Sequence, residues 1–254
     1  MKHPFRILRT GFDTAYFNMG LDEAILGSVA EGLSAPTLRL YGWNPSAISI
    51  GYFQGVGEEL DVDACARQGV DIVRRITGGG AVFHQSELTY SIAIPEGHPL
   101  APKSILDSYA TICQGITAGL GELRIQAEFA PINDIVSGGK KISGNAQTRK
   151  RGCLLQHGTV LIRVDVDKMF SLLKVPKEKA LGKLIEDVKA RVTSVSEILH
   201  SEISFDDVAD AILKGFVKAL EMDPAETAPT ALELDEARRL AREKFSTPAW
   251  IFRR

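Results

Sequence analysis

Two arginines and a run of three glycines stand within one short segment, an arrangement that suits an anionic ligand. Arg74 and Arg75 follow an apolar, strand-like stretch, and Gly78, Gly79 and Gly80 come shortly after them. Glycine has no Cβ, so the backbone bends sharply there and its N–H groups come within contact distance of anionic oxygens. A guanidinium beside them adds a planar fork for phosphate or carboxylate. These residues predict an anion cradle between two strands.

The spacing of the glycines excludes two familiar phosphate-binding loops. No Gly-Lys-Ser/Thr follows them, as a P-loop requires, and the G-x-G-x-x-G spacing of a dinucleotide fingerprint is absent. A β-rich run over residues 88–94 follows, where the fingerprint would start a helix. From these residues alone, the alternative is a glycine-rich hairpin with both arginines solvated at the edge of a sheet.

A second chemical cluster lies around Lys141, at the start of a strand-like pattern. With a β period, Lys141, Ser143, Asn145 and Gln147 face the same way, so the lysine projects among polar neighbours into a cleft. The alternative is a solvated hairpin that carries Lys140 and Lys141, since lysines are mostly exposed. The residues alone leave both interpretations open.

His84 and His157 invite a metal interpretation that the rest of the sequence does not support. Their spacing fits no metal signature, and no cysteine or glutamate stands at a ligand interval. Structural or substrate-facing histidines are the favoured interpretation. Nucleophilic catalysis of the Ser-His-Asp kind is also unsupported, because the G-x-S-x-G elbow is missing.

Composition bounds the class of protein. The chain has 254 residues, of which 44% are hydrophobic and 24% charged, and its formal net charge is −2. Non-specific nucleic-acid binding needs a basic surface, so this balance argues against it. Cys65, Cys113 and Cys153 are too sparse for a disulfide framework or a zinc site. No apolar run suits a membrane helix and no signal peptide is recognisable, so we expect a cytoplasmic protein that binds neither membrane nor nucleic acid.

Helix and strand signals alternate along the chain without an internal repeat. N-cap signals precede three helices, at Asp13 or Thr14, at Ser204 and at Thr230. The breaker-rich segment 222–229 is typical of a linker. The other predicted elements are strand 5–9, strands near 38–40 and 48–50, helices 57–68 and 103–119, strands 123–129, 132–136, 140–147 and 152–163, and helices 166–174 and 177–189.

The order of these elements indicates a fold class. Helices and strands are mixed, which favours an α/β or α+β domain with mixed sheets over a doubly wound parallel sheet. From about residue 166 the character becomes helical. This C-terminal part either packs on the sheet or forms a small second lobe.

The two chemical clusters together resemble the lipoate–protein ligase family, within the wider group of biotin ligases, lipoate ligases and octanoyltransferases. Residues 74–84, Arg-Arg-Ile-Thr-Gly-Gly-Gly-Ala-Val-Phe-His, are similar to that family's lipoyl- and nucleotide-binding loop. Residues 133–135 and 139–144 are similar to its catalytic-lysine segment, and residues 156–159 to the strand that follows. The resemblance implies an α+β fold of the biotin/lipoate ligase catalytic-domain type, with mixed β-sheets flanked by helices and one such domain over residues 1–254.

The resemblance implies a two-step acyl transfer. Lipoate and ATP, with Mg²⁺, give lipoyl-AMP, and a lysine of a lipoyl-domain protein then takes the lipoyl group. Lys141 is implied as the catalytic lysine, which stabilises the charge that builds in both transition states. No protein motif for a resident metal is present, and Asp134 is implied as the contact for Mg²⁺. The implied substrate- and nucleotide-binding residues are Arg75, Gly78, Gly79, Gly80, Ala81, Val82, Phe83, His84, Asn133, Asp134, Gly144, Ala146 and His157.

An alternative within the same group is octanoyl transfer from acyl carrier protein to a lipoyl domain. Residues 85–91 are more similar to the octanoyltransferase branch than to the commonest ligases. Those transferases work through a cysteine thioester, and their cysteine lies just before the lysine segment, whereas residues 114–152 here contain none. Cys153 follows the lysine in an apolar strand, and Asn133-Asp134 match the ligase pattern. The resemblance therefore implies a ligase first and an octanoyltransferase second.

The implied acceptors are lipoyl-domain proteins: E2 subunits of 2-oxoacid dehydrogenases, the H protein of glycine cleavage or similar proteins. Many ligases of the family carry an extra C-terminal domain, which two-part members have as a separate small subunit. This chain resembles the large subunit of such enzymes, so we expect a small accessory partner. The Arg-Arg-x-x-Gly-Gly-Gly-Ala-Val pattern disfavours biotin as the substrate. A non-catalytic binding protein or acyl carrier on the same fold is the alternative from another class.

Overall fold

An eight-stranded β-sheet forms the centre of the computed structural model, which describes residues 2–174 and 178–254. Across the sheet the strands run in the order β11 (Met222–Thr227), β1 (His3–Asp13), β2 (Thr37–Trp43), β6 (Glu87–Pro95), β10 (Cys153–Leu161), β9 (Lys140–Lys150), β8 (Asp134–Ser137) and β7 (Glu128–Ala130). Strand β1 is parallel to β11 and β2, and the other pairings are antiparallel. The predicted mixed sheet of an α+β fold is confirmed.

A second sheet of three strands carries the glycine run. Its order is β4 (Asp71–Arg74), β3 (Ala47–Ile50) and β5 (Val82–His84), with β3 parallel to β4 and antiparallel to β5. Because β4 and β5 lie on opposite sides of β3, the glycines between them cross the end of β3. Gly51 follows β3 and meets this crossing, since a Cβ there would lie 2.0 Å from the carbonyl oxygen of Gly79.

Helices cover both faces of the large sheet. The helices of the described residues are α1 (Ala15–Ala30), α2 (Val56–Glu59), α3 (Val62–Arg67), α4 (Ile105–Glu122), α5 (Val166–Leu172), α6 (Glu178–Arg191), α7 (Val195–Leu199), α8 (Phe205–Ala219), α9 (Ala231–Leu240) and α10 (Pro248–Ile251), with a short π-helix at Ala241–Phe245. Helices α4 and α8 pack together on one face, and α1 and α9 on the other. Ile92 and Ala93, neighbours on β6, belong to different core clusters. Both faces of β6 are therefore covered, and Thr89 and Ser91, which alternate with Leu88 and Tyr90, are buried as well.

The linker predicted over residues 222–229 is wrong, because Met222–Thr227 forms the edge strand β11, parallel to β1. Pro224 has no N–H, which an edge strand tolerates and a central strand does not. Only Met222 of this strand is buried. The segment therefore carries no apolar pattern, and its partner strand determines its structure.

The predicted helix starts and the C-terminal helices match the structure closely. The side chains of Thr14, Ser204 and Thr230 each accept a backbone N–H at the start of α1, α8 and α9. Helices α8 and α9 pack on the large sheet, which was one of the two alternatives for this part of the chain. The segment 57–68 forms two short helices instead of one, because Asp61 caps α3.

Helix α6 corresponds to the prediction over 177–189, although residue 177 itself lies outside the described residues. Within the part of the chain that the structure describes, no helix is both long and apolar enough to cross a membrane.

Candidate active site

A cavity of about 160 Å³ lies between the glycine run of the small sheet and strand β9 of the large sheet. Lys141 and the glycine run, far apart in sequence, therefore face one space. The predicted site residues that line it are Arg75, Gly79, Gly80, Ala81, Val82, His84, Asn133, Lys141, Gly144, Ala146 and His157. Gly78, Phe83 and Asp134 do not line it. Phe83 packs instead in the apolar cluster of the small sheet, because its side chain alternates with those of Val82 and His84.

A β-bulge sets the direction of Lys141. Ile135 pairs with Ser143 and Val136 pairs with Lys141, so Ile142 is the extra residue on β9. The bulge shifts the alternation by one position, and the prediction that Lys141 and Ser143 face the same way is wrong. Ser143 is completely buried, whereas the side chain of Lys141 is 42% exposed.

The ammonium group of Lys141 sits between a glycine and a carboxylate. A Cβ on Gly144 would lie 2.8 Å from both Cε and Nζ of Lys141, so the lysine side chain runs across this glycine. Its Nζ lies 2.6 Å from Oδ1 of Asp134. Asn133, the residue before that aspartate, lines the cavity. The lysine is thus held at the rim of the cavity. The alternative of a solvated hairpin, in which the lysine is free in solvent, does not describe it.

Arg75 shapes the glycine run from within. Its guanidinium donates to the carbonyl oxygens of Gly78, Gly80 and Ser49 and to the Ser49 hydroxyl, and these bonds occupy all of its N–H groups. The side chain is buried, and burial lowers the pKa of Arg75 to about 10. Arg75 therefore has no N–H group left for a phosphate in this arrangement.

The backbone of the glycine run offers the donors that Arg75 does not. In the described part of the chain, no acceptor meets the N–H of Gly79 or Gly80, and both residues line the cavity. These free amides fit the predicted anion cradle, because successive bare N–H groups bind anionic oxygens.

Arg74 is fully buried and holds two distant segments together. Its Nη1 donates to the carbonyl oxygens of Gly51, Tyr52 and Gln54, and its Nε and Nη2 donate to that of Ile251. Burial lowers the pKa of Arg74, and nearby arginines lower it further. The alternative of two solvated arginines at a sheet edge is wrong, since both serve the backbone around the glycine run.

His84 is a buried, neutral part of the cavity wall. Its Nε2 lies 2.8 Å from the Ser49 hydroxyl, its Nδ1 lies 2.7 Å from the Glu87 carboxylate, and its ring stacks on Trp43 at 3.9 Å. Burial lowers the pKa of His84 in spite of the opposing effect of Glu87. Both ring nitrogens already have partners, so this histidine is fixed in orientation.

His157 joins the cavity to a buried carboxylate. Asp22 Oδ1 accepts from Arg39 Nη1 at 2.8 Å, whereas Oδ2 accepts from the Tyr41 hydroxyl at 2.9 Å and lies 3.3 Å from His157 Nδ1. Burial acts to raise the pKa of Asp22, but the bond from His157 and the charge of Arg39 hold it below its usual value. An ionised carboxylate only accepts, so Nδ1 of His157 donates to it, and Nε2 lies 2.7 Å from the Thr77 hydroxyl.

The three cysteines are buried, and none of them lines the cavity. Burial raises the pKa of all three thiols, to about 11 for Cys65 and about 12 for Cys113. Among residues 2–174 and 178–254, no group of three or more histidine, cysteine, aspartate or glutamate side chains is placed to hold a metal ion.

Several cavity-lining residues were absent from the sequence prediction. Asn145, Gly158 and Thr159 stand inside segments already singled out, so the motifs themselves contained the signal. Trp43 and Thr89 are joined by a 2.8 Å hydrogen bond, and nothing local in the sequence indicates it. The full set of missed residues is Met19, Tyr41, Trp43, Ser49, Thr89, Asn145, Gly158 and Thr159.

Comparison with known proteins agrees with this geometry. Residues 14–217 match the family model described as lipoyl protein ligase A/B catalytic domain. Octanoyltransferase LipM of Geobacillus kaustophilus is 37% identical over 276 positions, covering 100% of this chain and 99% of the relative. A bi-partite lipoate protein ligase from Thermoplasma acidophilum has a TM-score of 0.87 and 31% identity, covering 99% of this chain and 96% of that one. A lipoate-protein ligase A bound with ATP has a TM-score of 0.83 and 30% identity, covering 99% of each chain.

The fold and the cavity define an enzyme of the lipoate ligase and octanoyltransferase class. The chain belongs to the lipoyl protein ligase A/B catalytic-domain family. The predicted family is confirmed. Of the proteins named above, one is an octanoyltransferase and two are lipoate protein ligases, which are the two activities that the sequence analysis left open.

Proposed function

We propose that this enzyme attaches an acyl group to a lysine of a lipoyl-domain protein. The observation that carries the proposal is the placement of Lys141 and the free amides of Gly79 and Gly80 around one cavity. Attack on an acyl carbonyl moves negative charge onto its oxygen, and donors fixed beforehand around that oxygen lower the barrier. The Lys141 ammonium and the loop amides are such donors.

We propose an ATP-dependent lipoate ligase as the first candidate. The lipoate carboxylate forms a bond to the α-phosphorus and pyrophosphate leaves; the acceptor amine then bonds to the acyl carbon, AMP leaves and the amine proton passes to solvent. This route needs no protein nucleophile. It therefore suits a cavity in which none of the three thiols has a place.

The residues of the cavity fit ATP in part. The amides of Gly79 and Gly80 suit its phosphate oxygens, and Mg²⁺ bound to the triphosphate neutralises charge. Asp134 is the carboxylate placed nearest, and its second oxygen would contact Mg²⁺ while Oδ1 keeps its 2.6 Å ion pair with Lys141. Held in this way, Lys141 would face the acyl and α-phosphate oxygens.

Octanoyl transfer from an acyl carrier protein thioester is the second candidate, and the names of the curated relatives favour it over the first. Octanoyltransferase LipM of Geobacillus kaustophilus matches this chain over its whole length. The alignment spans 276 positions against 254 residues here, so the relative has residues without a counterpart in this chain. With the thiols buried, the acyl group would pass from the donor thioester to the acceptor amine directly, and the carrier thiol would leave.

We further propose that the acceptors are E2 subunits or the glycine cleavage H protein, and that the enzyme works in the cytoplasm. The first is supported by the E2 lipoyl domain described with the Thermoplasma acidophilum ligase. A small accessory subunit remains part of the ligase proposal, because the adenylation step would depend on it.

The deciding experiment measures acceptor modification by intact-mass spectrometry with three donors. These are lipoate with ATP and Mg²⁺, octanoate with ATP and Mg²⁺, and octanoyl thioester of acyl carrier protein without ATP, each with and without a small partner protein. Modification that needs ATP supports the ligase, and modification from the thioester alone supports the transferase. No modification from any donor, with or without the partner, overturns the proposed function. Full ligase activity of the chain alone would show that the proposed accessory subunit is not needed.

A further inference from the structure

A row of polar side chains leads from the core to the rim of the cavity. Gln156 Nε2 lies 2.7 Å from the Tyr90 hydroxyl, and that hydroxyl lies 2.7 Å from Asn145 Oδ1. Asn145 Nδ2 in turn lies 2.9 Å from the carbonyl oxygen of Asn133. Gln156 and Tyr90 are completely buried, and neither lines the cavity. The outer end of the row, Asn145 and Asn133, lines the cavity, whereas its inner end, Gln156 and Tyr90, does not.

The carbonyl group of Asn133 determines which atom donates in every hydrogen bond of this row. The carbonyl oxygen of Asn133 only accepts, so the amide nitrogen of Asn145 must face it and Oδ1 must face Tyr90. Tyr90 then donates to Asn145, and its oxygen accepts from Gln156. Burial raises the pKa of Tyr90 well above its usual value, so the hydroxyl keeps the proton it donates.

This ordering leaves one buried polar atom without a partner, at Gln156. Gln156 must turn its nitrogen toward Tyr90, which leaves Oε1 without a donor. That oxygen is one of three buried side-chain atoms in the described part of the chain that lack a hydrogen-bond partner. An unpaired buried acceptor is destabilising, and such an atom calls for an explanation. The ordered row supplies one.

The row clamps Asn133 onto strand β9. The backbone N–H and the side-chain amide of Asn145 both donate to the Asn133 carbonyl, and the Asn133 amide donates back to the carbonyl of Asn145. Asp134 is the next residue, and its carboxylate lies 2.6 Å from Lys141 Nζ. A shift of Asn133 would therefore move the carboxylate that holds the lysine.

Gly158 on the neighbouring strand makes room for the clamp. A Cβ there would lie 2.1 Å from Oδ1 of Asn145 and 2.8 Å from Cε1 of Tyr90. Any side chain at this position would push both members of the row aside. The row thus depends on this glycine as well as on its own hydrogen bonds.

We propose that Tyr90 and Asn145 are positioning residues, which set the place of Asn133 and Asp134 and, through Asp134, of the Lys141 ammonium. The inference rests on the proposed function only in that Lys141 is taken as the group that acts on the acyl donor. Tyr90 has no contact with the cavity, so its influence on the reaction runs through this row.

The test compares Tyr90→Phe with Ile116→Val, a matched control. Ile116 is completely buried in the same core cluster, and its replacement removes one methylene and no hydrogen bond. We expect Tyr90→Phe to lower kcat about tenfold with the KM for the acyl donor unchanged, since the hydrogen bonds of the hydroxyl to Asn145 and from Gln156 are both lost and Asn145 Oδ1 is left without its donor. Ile116→Val keeps the kcat of the wild type. Gly158→Ala, which displaces Asn145 from the other side, lowers kcat in the same way.

A double-mutant cycle shows whether Tyr90 acts through Asp134. In an Asp134→Asn background the carboxylate no longer holds Lys141, so adding Tyr90→Phe should cost less than about twofold, because coupled residues are not additive. The same tenfold loss in both backgrounds, or a loss no larger than that of Ile116→Val, overturns the proposal.

Hydrogen exchange tests the clamp without any activity. The amide of Asn145, which donates to Asn133, should exchange about tenfold faster in Tyr90→Phe than in the wild type and Ile116→Val. Unchanged exchange of this amide overturns the clamp even if the enzyme is active. Faster exchange in a protein that modifies no acceptor supports the clamp and places the failure in the proposed function.

Discussion

The side chain of Lys141 lies directly on Gly144, in the space where any other residue would have its Cβ. The two residues come together because the bulge at Ile142 removes one position from the pairing of β9. A lysine that would otherwise leave the sheet beside Ser143 is thereby laid along the strand toward the cavity. Its terminal nitrogen then meets Asp134. Backbone geometry, and not the lysine alone, brings the charge to the cavity.

Replacement of Gly144 by alanine should displace the lysine without unfolding the protein. The added Cβ would lie 2.8 Å from the mobile end of Lys141, which can move away. We expect kcat to fall about 100-fold, as for a displaced catalytic group, with no loss of unfolding free energy. Urea unfolding and steady-state transfer assays measure both quantities. Gly121→Ala, where a Cβ meets nothing within 4 Å, is the control; equal activities of the two variants would contradict the prediction.

Removal of the Lys141 ammonium should abolish most of the transfer. Loss of one donor to a developing oxyanion lowers kcat about 10²- to 10³-fold, and we expect Lys141→Ala to show a loss of this size. The assay follows acceptor acylation from preformed lipoyl-AMP or from the octanoyl thioester, whichever the wild type uses. Lys140→Ala is the matched control, since its side chain pairs with Glu197 at 3.6 Å on the surface. Retained transfer by Lys141→Ala removes this residue from the mechanism.

Arg75→Lys should loosen the glycine run although it keeps the charge. A lysine cannot reproduce the planar fork that holds Gly78, Gly80 and Ser49, and a buried ammonium loses its proton readily. We expect the unfolding free energy to fall by about 2 kcal/mol and the KM for the acyl donor to rise. Arg151→Lys, at an exposed arginine, should change neither. A variant with wild-type stability and a raised KM would mean that Arg75 binds the ligand itself.

Acid should destabilise the protein partly through His84. Burial lowers the pKa of this imidazole in the folded state, whereas the same histidine in the unfolded chain takes up a proton at about pH 6.5. Stability is therefore full above that pH and declines as the pH falls below it toward the folded-state pKa, because only the unfolded state gains the proton. Urea unfolding at several pH values should show a shallower decline for His84→Gln. His200→Asn, at an exposed histidine, should keep the wild-type slope.

Alkylation of the folded protein should leave its activity intact. The thiolate is the reactive form, and burial raises the pKa of Cys65 to about 11 and of Cys113 to about 12. We expect iodoacetamide at neutral pH to modify no thiol in the folded enzyme and all three in urea, as mass spectrometry would record. Inactivation that follows modification of one cysteine, and is prevented by the acyl donor, would instead indicate a thioester mechanism.

The sequence predicts the parts of the site that consecutive residues encode. Three glycines in a row and a lysine followed by small residues are local features, and the structure places both around one cavity. The caps at Thr14, Ser204 and Thr230 are equally local, since each side chain bonds a backbone N–H of the turn that it starts.

Features that depend on distant partners could not be read in this way. The strand at residues 222–227 contains a proline and little apolar surface, and only pairing with β1 makes it a strand. Arg75 shows the same limit, because the sequence is the same whether its guanidinium binds the backbone of a loop or a ligand. Trp43 donates to the Thr89 hydroxyl at the cavity because β2 pairs with β6, a pairing between segments 46 positions apart.

The position of β1 has a consequence for how the protein is made. Arg6 on this strand donates to Glu233, 227 positions further along the chain, at 2.8 Å. A nascent chain emerging from the ribosome at about 5–20 residues per second therefore waits roughly 10 to 45 s for this partner. For most of that interval the edge of β1 that β11 later covers stays open as well, and open strand edges recruit other chains.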